Sequence, residues 1–269
     1  MPLHHIQLTR GPAASPGAGE RTTIEPLLLT TARVLTFDGP RPLTNATGFF
    51  FRRNARVFLI TSRHVVIDES SGHRPDRVEV TVHTDEDNLA QATVVSLPLY
   101  RDGRAVWRQA RDRGGEVDVA AILLDAAVLP VSRAWRSFGP EHLHATQAGA
   151  EVGDLVQVVG YPLGFQDTLH QLPVVRLAAI ASSYGLRFQG QGYFLTDART
   201  HRGTSGAPVV MRDATVDAAL PWRLLGVHSS RMDMNTRDQL ADESLGLNCA
   251  WYADILLTLT QDVATAPSV

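Results

Sequence analysis

Eleven short runs rich in β-branched and aromatic residues constrain this chain more than any other feature. They are TGFFF, RVFLITS, RVEVTVHT, ATVVSLPL, VDVAAILL, DLVQVVGY, PVVRLAAIAS, GYFLTDA, APVVMR, RLLGVHSS and GLNCAW. Turn-forming residues separate them, and few stretches carry a 3.6-residue apolar period, so the chain reads as all-β, a sandwich or a pair of barrels. YADILLTLTQ, near the end, is the main exception. It spaces Ile255, Leu256 and Leu259 along one helical face and predicts a short C-terminal helix over about 252–261. PEHLHATQAG reads as a helical turn or loop, and the polar, Arg-rich LYRDGRAVWRQARDRGGE as a solvated hairpin or loop.

Composition narrows the partners. Residues 1–23, rich in Pro, Gly, Ala and Ser, read as a flexible lead-in, and 263–269 as a tail. The N-terminal stretch carries no long apolar segment of the secretory kind, and no run approaches the roughly 18 apolar residues of a membrane span. Cys249 is the single cysteine, so no internal disulfide forms, and a cytoplasmic location is the expectation. A net charge of −3 supplies no global positive field, so neither nucleic acid nor a membrane surface is expected as a partner. Asp102, Asp112 and Glu116 dilute the arginines at 101–113, the one segment that would support a nucleic-acid reading. His4 and His5 have no cysteine or acidic cluster beside them, and no glycine-rich stretch ends in Gly-Lys-Ser/Thr, so no metal and no cofactor is expected.

Three stretches carry chemistry. In DARTHRGTSGAPVV, Ser205 sits between small residues. Serine is a poor nucleophile at neutral pH and needs a base, a group that orients the base, and donors for the oxyanion. His64, in FLITSRHVV, follows directly on an apolar strand, where it can be presented to a cleft. Asp118, in VDVAAILLD, opens an apolar run where a partly buried carboxylate requires a hydrogen-bond partner, and His64 is the candidate. Asp68, Asp112 and Asp125 are its substitutes. Gly203 and Gly206 let the backbone bend so that the N–H groups of Gly203 and Ser205 converge on one oxygen. An esterase of the α/β-hydrolase type is disfavoured. Its nucleophile elbow needs Gly where this chain has Ala207, and its order runs Ser, acid, His.

The order His64, Asp118, Ser205, within TSRHVV, DVAAILL and GTSGAPVV, resembles the trypsin-like (chymotrypsin-fold) serine peptidases over residues 24 to about 260. TDARTHRGTSGAPVV, VVGYPLG and LLGVHSS are most similar to the bacterial branches, of the HtrA and glutamyl-endopeptidase types. The resemblance implies a peptidase domain over 24–262 made of two six-stranded antiparallel barrels, about 24–135 and 150–252, with the catalytic cleft between them. It implies a serine endopeptidase with His64 as general base, Asp118 orienting it and Ser205 as nucleophile, acting on protein or peptide substrates.

The resemblance also places the first specificity pocket at Arg199 and Thr200 and along Val227 to Arg231, so that Arg199, Thr200, His228, Ser229 and Ser230 are substrate-binding candidates. Thr200 and His228 match the residues that contact an acidic substrate side chain in glutamyl endopeptidases. Glu is therefore the expected P1 residue, with Gln or a small apolar residue as rivals; the alternative for His228 is a core histidine. In many digestive relatives a newly cut N-terminus pairs with an Asp directly before the serine. Thr204 stands there, so control by a regulatory protein partner, loop ordering or location is expected instead. A catalytically idle or latent fold that binds peptides is the competing function. Only VATAPSV follows residue 262, so a PDZ-like module is not expected, and the departure from the HtrA pattern puts its trimer and chaperone roles in doubt.

Overall fold

The structure is a computed structural model and describes residues 24–125, 127, 129, 130, 134–143, 149–233 and 244–262. The N-terminal lead-in, the tail and much of the 230–246 segment lie outside them. The first half holds β1 (Thr31–Asp38), β2 (Arg41–Arg53), β3 (Arg56–Thr61), α1 (Arg63–Val66), β4 (Arg77–His83) and β5 (Ala92–Pro98). It continues through the two-residue strands β6 (Tyr100–Arg101), β7 (Arg104–Ala105), β8 (Trp107–Arg108), β9 (Arg111–Asp112) and β10 (Gly115–Glu116) to β11 (Ala120–Leu124). The second half holds β12 (Leu155–Gly160), β13 (Val174–Ala179), β14 (Tyr193–Thr196), β15 (Pro208–Arg212), β16 (Trp222–Asp233), β17 (Ser244–Tyr252) and α2 (Ile255–Leu259).

All eleven sequence runs overlap these strands, and β1 is an addition. The fold is mostly β, with curled antiparallel sheets of the chymotrypsin type. The first sheet runs β5-β4-β1-β2-β3-β11-β8 and the second β13-β12-β15-β16-β17-β14. The first therefore counts seven strands rather than six, because Trp107 and Arg108 pair with Ile122 and Ala121 along the outer side of β11. In the second, the bridge from Ile180 to Thr196 joins the ends of the two outermost strands and closes the curl. The Arg-rich segment folds as two small hairpins, β6 with β7 and β9 with β10.

Strand alternation explains where the core sits. In β4, Val78, Val80 and Val82 point inward and the residues between them do not. From Ala46 to Phe51, β2 is buried without a break, because both of its faces are covered. Ala46 and Phe50 enter the core of the first barrel, and Phe49 and Phe51 enter a second core shared between the barrels. In β3, Leu59 goes to the first and Phe58 and Ile60 to the shared one. Val159, Val210, Leu224, Val227 and Trp251 meet them from the second barrel, with Leu256 and Leu259 of α2. At about 1.5–3 kcal/mol for each large apolar side chain removed from water, this seam makes the barrels one body. Arg108 closes the end of α2 by donating to the carbonyls of Leu259 and Gln261 at 3.1 and 2.7 Å.

Candidate active site

His64 belongs to α1, the single turn that follows β3, and its backbone is tied to the acid across the barrel. Its N–H donates to Asp118 Oδ1 at 2.8 Å, and its Nδ1 lies 2.7 Å from Asp118 Oδ2. Asp118 stands between the buried Val117 and Val119, just before β11, which pairs with β3. The Ser229 hydroxyl also donates to Asp118 Oδ2. A carboxylate that accepts all three bonds leaves the ring hydrogen on Nδ1 and a lone pair on Nε2.

Charge at this pair is graded. Burial is the largest influence on His64 and pushes its pKa down. The hydrogen bond to Asp118 and the charges of Asp118 and Asp68 outweigh it, and the net shift is upward. Asp68 is itself held at about 2 by the hydroxyls of Ser71 and Ser70.

Ser205 comes from the second barrel, and the loop that carries it is clamped to the first. Ser205 O accepts from Thr47 N at 2.9 Å, and Gly203 O from Thr47 Oγ1 at 2.7 Å. The same Thr47 hydroxyl accepts from Tyr161 N at 3.0 Å. Gly206 N and the Ser62 hydroxyl both donate to His228 O, at 2.8 and 3.2 Å. These bonds bring His64 and Ser205 onto the wall of one cavity of about 430 Å³, shared with Asn45, Asp68, Arg202 and Gly203.

The glycines are required by space as well as by conformation. Gly203 has φ of +93°, and a Cβ there would run into Asn45 Oδ1 and stand 2.5 Å from Tyr161 O. Gly206 has φ of +87°, and its Cβ would strike Thr47 O and the Thr61 hydroxyl. Between them the backbone presents donors. Thr204 N is used by His201 O, whereas among the described residues neither Gly203 N–H nor Ser205 N–H has a hydrogen-bond acceptor. Nor does the Ser205 hydroxyl bond to His64 Nε2 here, an interaction that commonly tightens only when substrate binds.

The pocket candidates divide. Thr200 and His228 are buried, at 5% and 2% exposure, while Arg199 and Ser230 are exposed. Burial, with a smaller push from His64, takes the pKa of His228 down to about 4, and its Nδ1 has no partner. The Ser229 hydroxyl is engaged with Asp118 rather than with the pocket. Sequence reasoning passed over Thr47, Asn45 and Asn248. No local signal marks them, since Thr47 and Asn248 bond to loops far away in the chain and Asn45 lies against one. Among the described residues no cluster of three His, Cys, Asp or Glu side chains could hold a metal, and no helix is long and apolar enough to cross a membrane.

The crystal structure of the serine endoprotease from Yersinia pestis is similar to this chain with a TM-score of 0.50 and 15% sequence identity. The alignment covers 89% of this chain and 66% of that one, so this chain spans just under two thirds of that structure's length, and the likeness is one of fold. No curated protein matches the chain. A family model described as the trypsin-like peptidase domain matches residues 46–217, the span that holds His64, Asp118 and Ser205. The chain belongs to the trypsin-like peptidase domain family.

Proposed function

We propose that the protein is a serine endopeptidase. Ser205 attacks the scissile carbonyl, and His64 Nε2 takes the hydroxyl proton and returns it to the leaving amine. Asp118 holds the imidazole tautomer and stabilises the imidazolium, while Gly203 N–H and Ser205 N–H receive the oxyanion. The observation that carries this reading is the 2.7 Å bond from His64 Nδ1 to Asp118, with His64 and Ser205 on one cavity wall. The unengaged N–H pair supports it further. The test is mass spectrometry after exposure to a fluorophosphonate, beside Ser205→Ala and His64→Ala. A single adduct on Ser205, abolished by both substitutions, is expected, and so is a loss of several powers of ten in peptide hydrolysis. An unlabelled Ser205 would favour the idle or latent peptide-binding fold instead.

The finer reading concerns P1. Thr200 and His228 are assigned to the base of the P1 pocket by the resemblance to glutamyl endopeptidases, which supports a P1 side chain of Glu length that ends in oxygen. A regulatory protein partner belongs to the same proposal, on the ground that Thr204 replaces the activating Asp. Free digestion of casein by the purified protein without additives would remove it.

A further inference from the structure

Asn248 lies on β17 opposite Thr196, 1% exposed, and its whole carboxamide is engaged. Its Nδ2 donates to the carbonyls of Ala198 and Thr196 at 2.6 and 3.3 Å. Carbonyls only accept, so the nitrogen must face them and Oδ1 must face the other way, toward Thr200. The 2.5 Å contact between Thr200 Oγ1 and Asn248 Oδ1 therefore has one direction. The amide oxygen has no hydrogen to give, so the hydroxyl donates. Thr200 has spent its only hydrogen and keeps lone pairs for a neighbour.

His228 supplies the opposite polarity. Its burial keeps the imidazole neutral near pH 7, and a neutral ring carries one N–H. Nδ1 is buried and unpartnered, and a buried N–H without an acceptor is the costlier vacancy, so the hydrogen belongs on Nε2. Arg199 and Arg231 are exposed, and attraction to a carboxylate from solvated heads is weak.

Resting on the reading of Thr200 and His228 as the P1 pocket, we propose that the pocket selects the carboxamide of Gln over the carboxylate of Glu. Asn248 is the positioning residue that sets this polarity. A Gln side chain satisfies both groups, its oxygen accepting from His228 Nε2–H and its nitrogen donating to Thr200 Oγ1. A Glu carboxylate turns lone pairs toward the lone pairs of Thr200 and brings a charge into a site with no buried counter-charge among the described residues. The order expected from the glutamyl endopeptidases is reversed.

The experiment compares kcat/KM of the full chain at pH 7.5 on two peptides that differ only in Gln or Glu at P1. A preference for Gln of at least about tenfold is expected, since a site built for a donor rejects the analogue that lacks it. Asn248→Leu frees the Thr200 hydrogen and Thr200→Val removes the acceptor, so each lowers the Gln-to-Glu ratio toward one. A purely structural role for Asn248 would lower both rates and leave the ratio. Equal or faster cleavage after Glu overturns the inference, as does a ratio that neither variant moves. If Asn248→Leu fails to fold, the ratio in Thr200→Val decides. Fluorophosphonate labelling of Ser205 separates the failures. A labelled protein that prefers Glu loses only this inference, and one that is unlabelled and inert on both peptides loses the peptidase reading with it.

Discussion

Gly203→Ala tests whether the proposed oxyanion donors depend on backbone geometry. At φ of +93° an Ala residue is strained by about 1–3 kcal/mol before any contact is counted. Its Cβ would also collide with Asn45 Oδ1 and lie 2.5 Å from Tyr161 O and 3.0 Å from Leu163 N. Two of these three neighbours are backbone atoms of a turn pinned by the 2.6 Å bond from Leu163 N to Arg202 O, so the 202–203 peptide has to move. Its N–H then leaves the line to the oxyanion. Loss of one such donor lowers kcat by about 10²–10³. KM should change little, because the oxyanion exists only beyond the ground state. The assay is kcat and KM on a cleavable peptide, with thermal unfolding in parallel to show that the variant is folded. Asn45→Ala in the same chain removes one obstruction and leaves the two backbone ones, so it restores little. A folded Gly203→Ala protein within about threefold of the parent kcat would refute the assignment of Gly203 N–H to the oxyanion.

Asp118→Asn places an amide where Ser229 Oγ–H, His64 N–H and His64 Nδ1–H all donate, so the ring loses its tautomer; kcat should fall by roughly four powers of ten in steady-state assays. The pH profile of kcat/KM should show an acid limb with a midpoint above 6.5, because Asp118 and Asp68 raise His64 and the base acts only unprotonated. The stability that His64⁺ draws from Asp118 has the matching sign: it is present below 6.5 and is lost as pH rises through the raised value. His228 acts oppositely. With its pKa lowered to about 4, the unfolded chain takes up a proton first as pH falls from 6.5, so stability should drop between 6.5 and about 4, and His228→Leu should flatten that limb in urea titrations.

Much of this was legible along the chain. Alternation in RVEVTVHT, unbroken apolar character in TGFFF and RVFLITS, and the turn residues between the runs are local properties, and they led to an all-β architecture. The missing strand, β1, is TARVLTFD, in which Thr31 and Thr36 take buried positions while Leu35 and Phe37 are only partly buried, so its apolar residues do not mark its inner face. The seventh strand of the first sheet, β8, is two residues long and exists because Trp107 pairs with Ile122; no periodicity can show in two residues. His64, Asp118 and Ser205 could be singled out as candidates because each sits in its own short context.

What the sequence determined by itself is the set of parts: a β framework, a serine flanked by glycines, and a histidine and an acid at strand ends in a set order. These follow from the conformational freedom of glycine, the pleat of strands and the intrinsic chemistry of side chains, all of which act within a few residues. Only the tertiary structure decided how the parts are held. Thr47 reaches 156 residues along the chain to Gly203, Ser229 turns to Asp118 instead of the pocket, and Asn248 takes the Thr200 hydrogen. Hydrogen-bond direction depends on which donors and acceptors a closed sheet brings within 3 Å of each other, and that proximity comes from packing two barrels on one apolar seam.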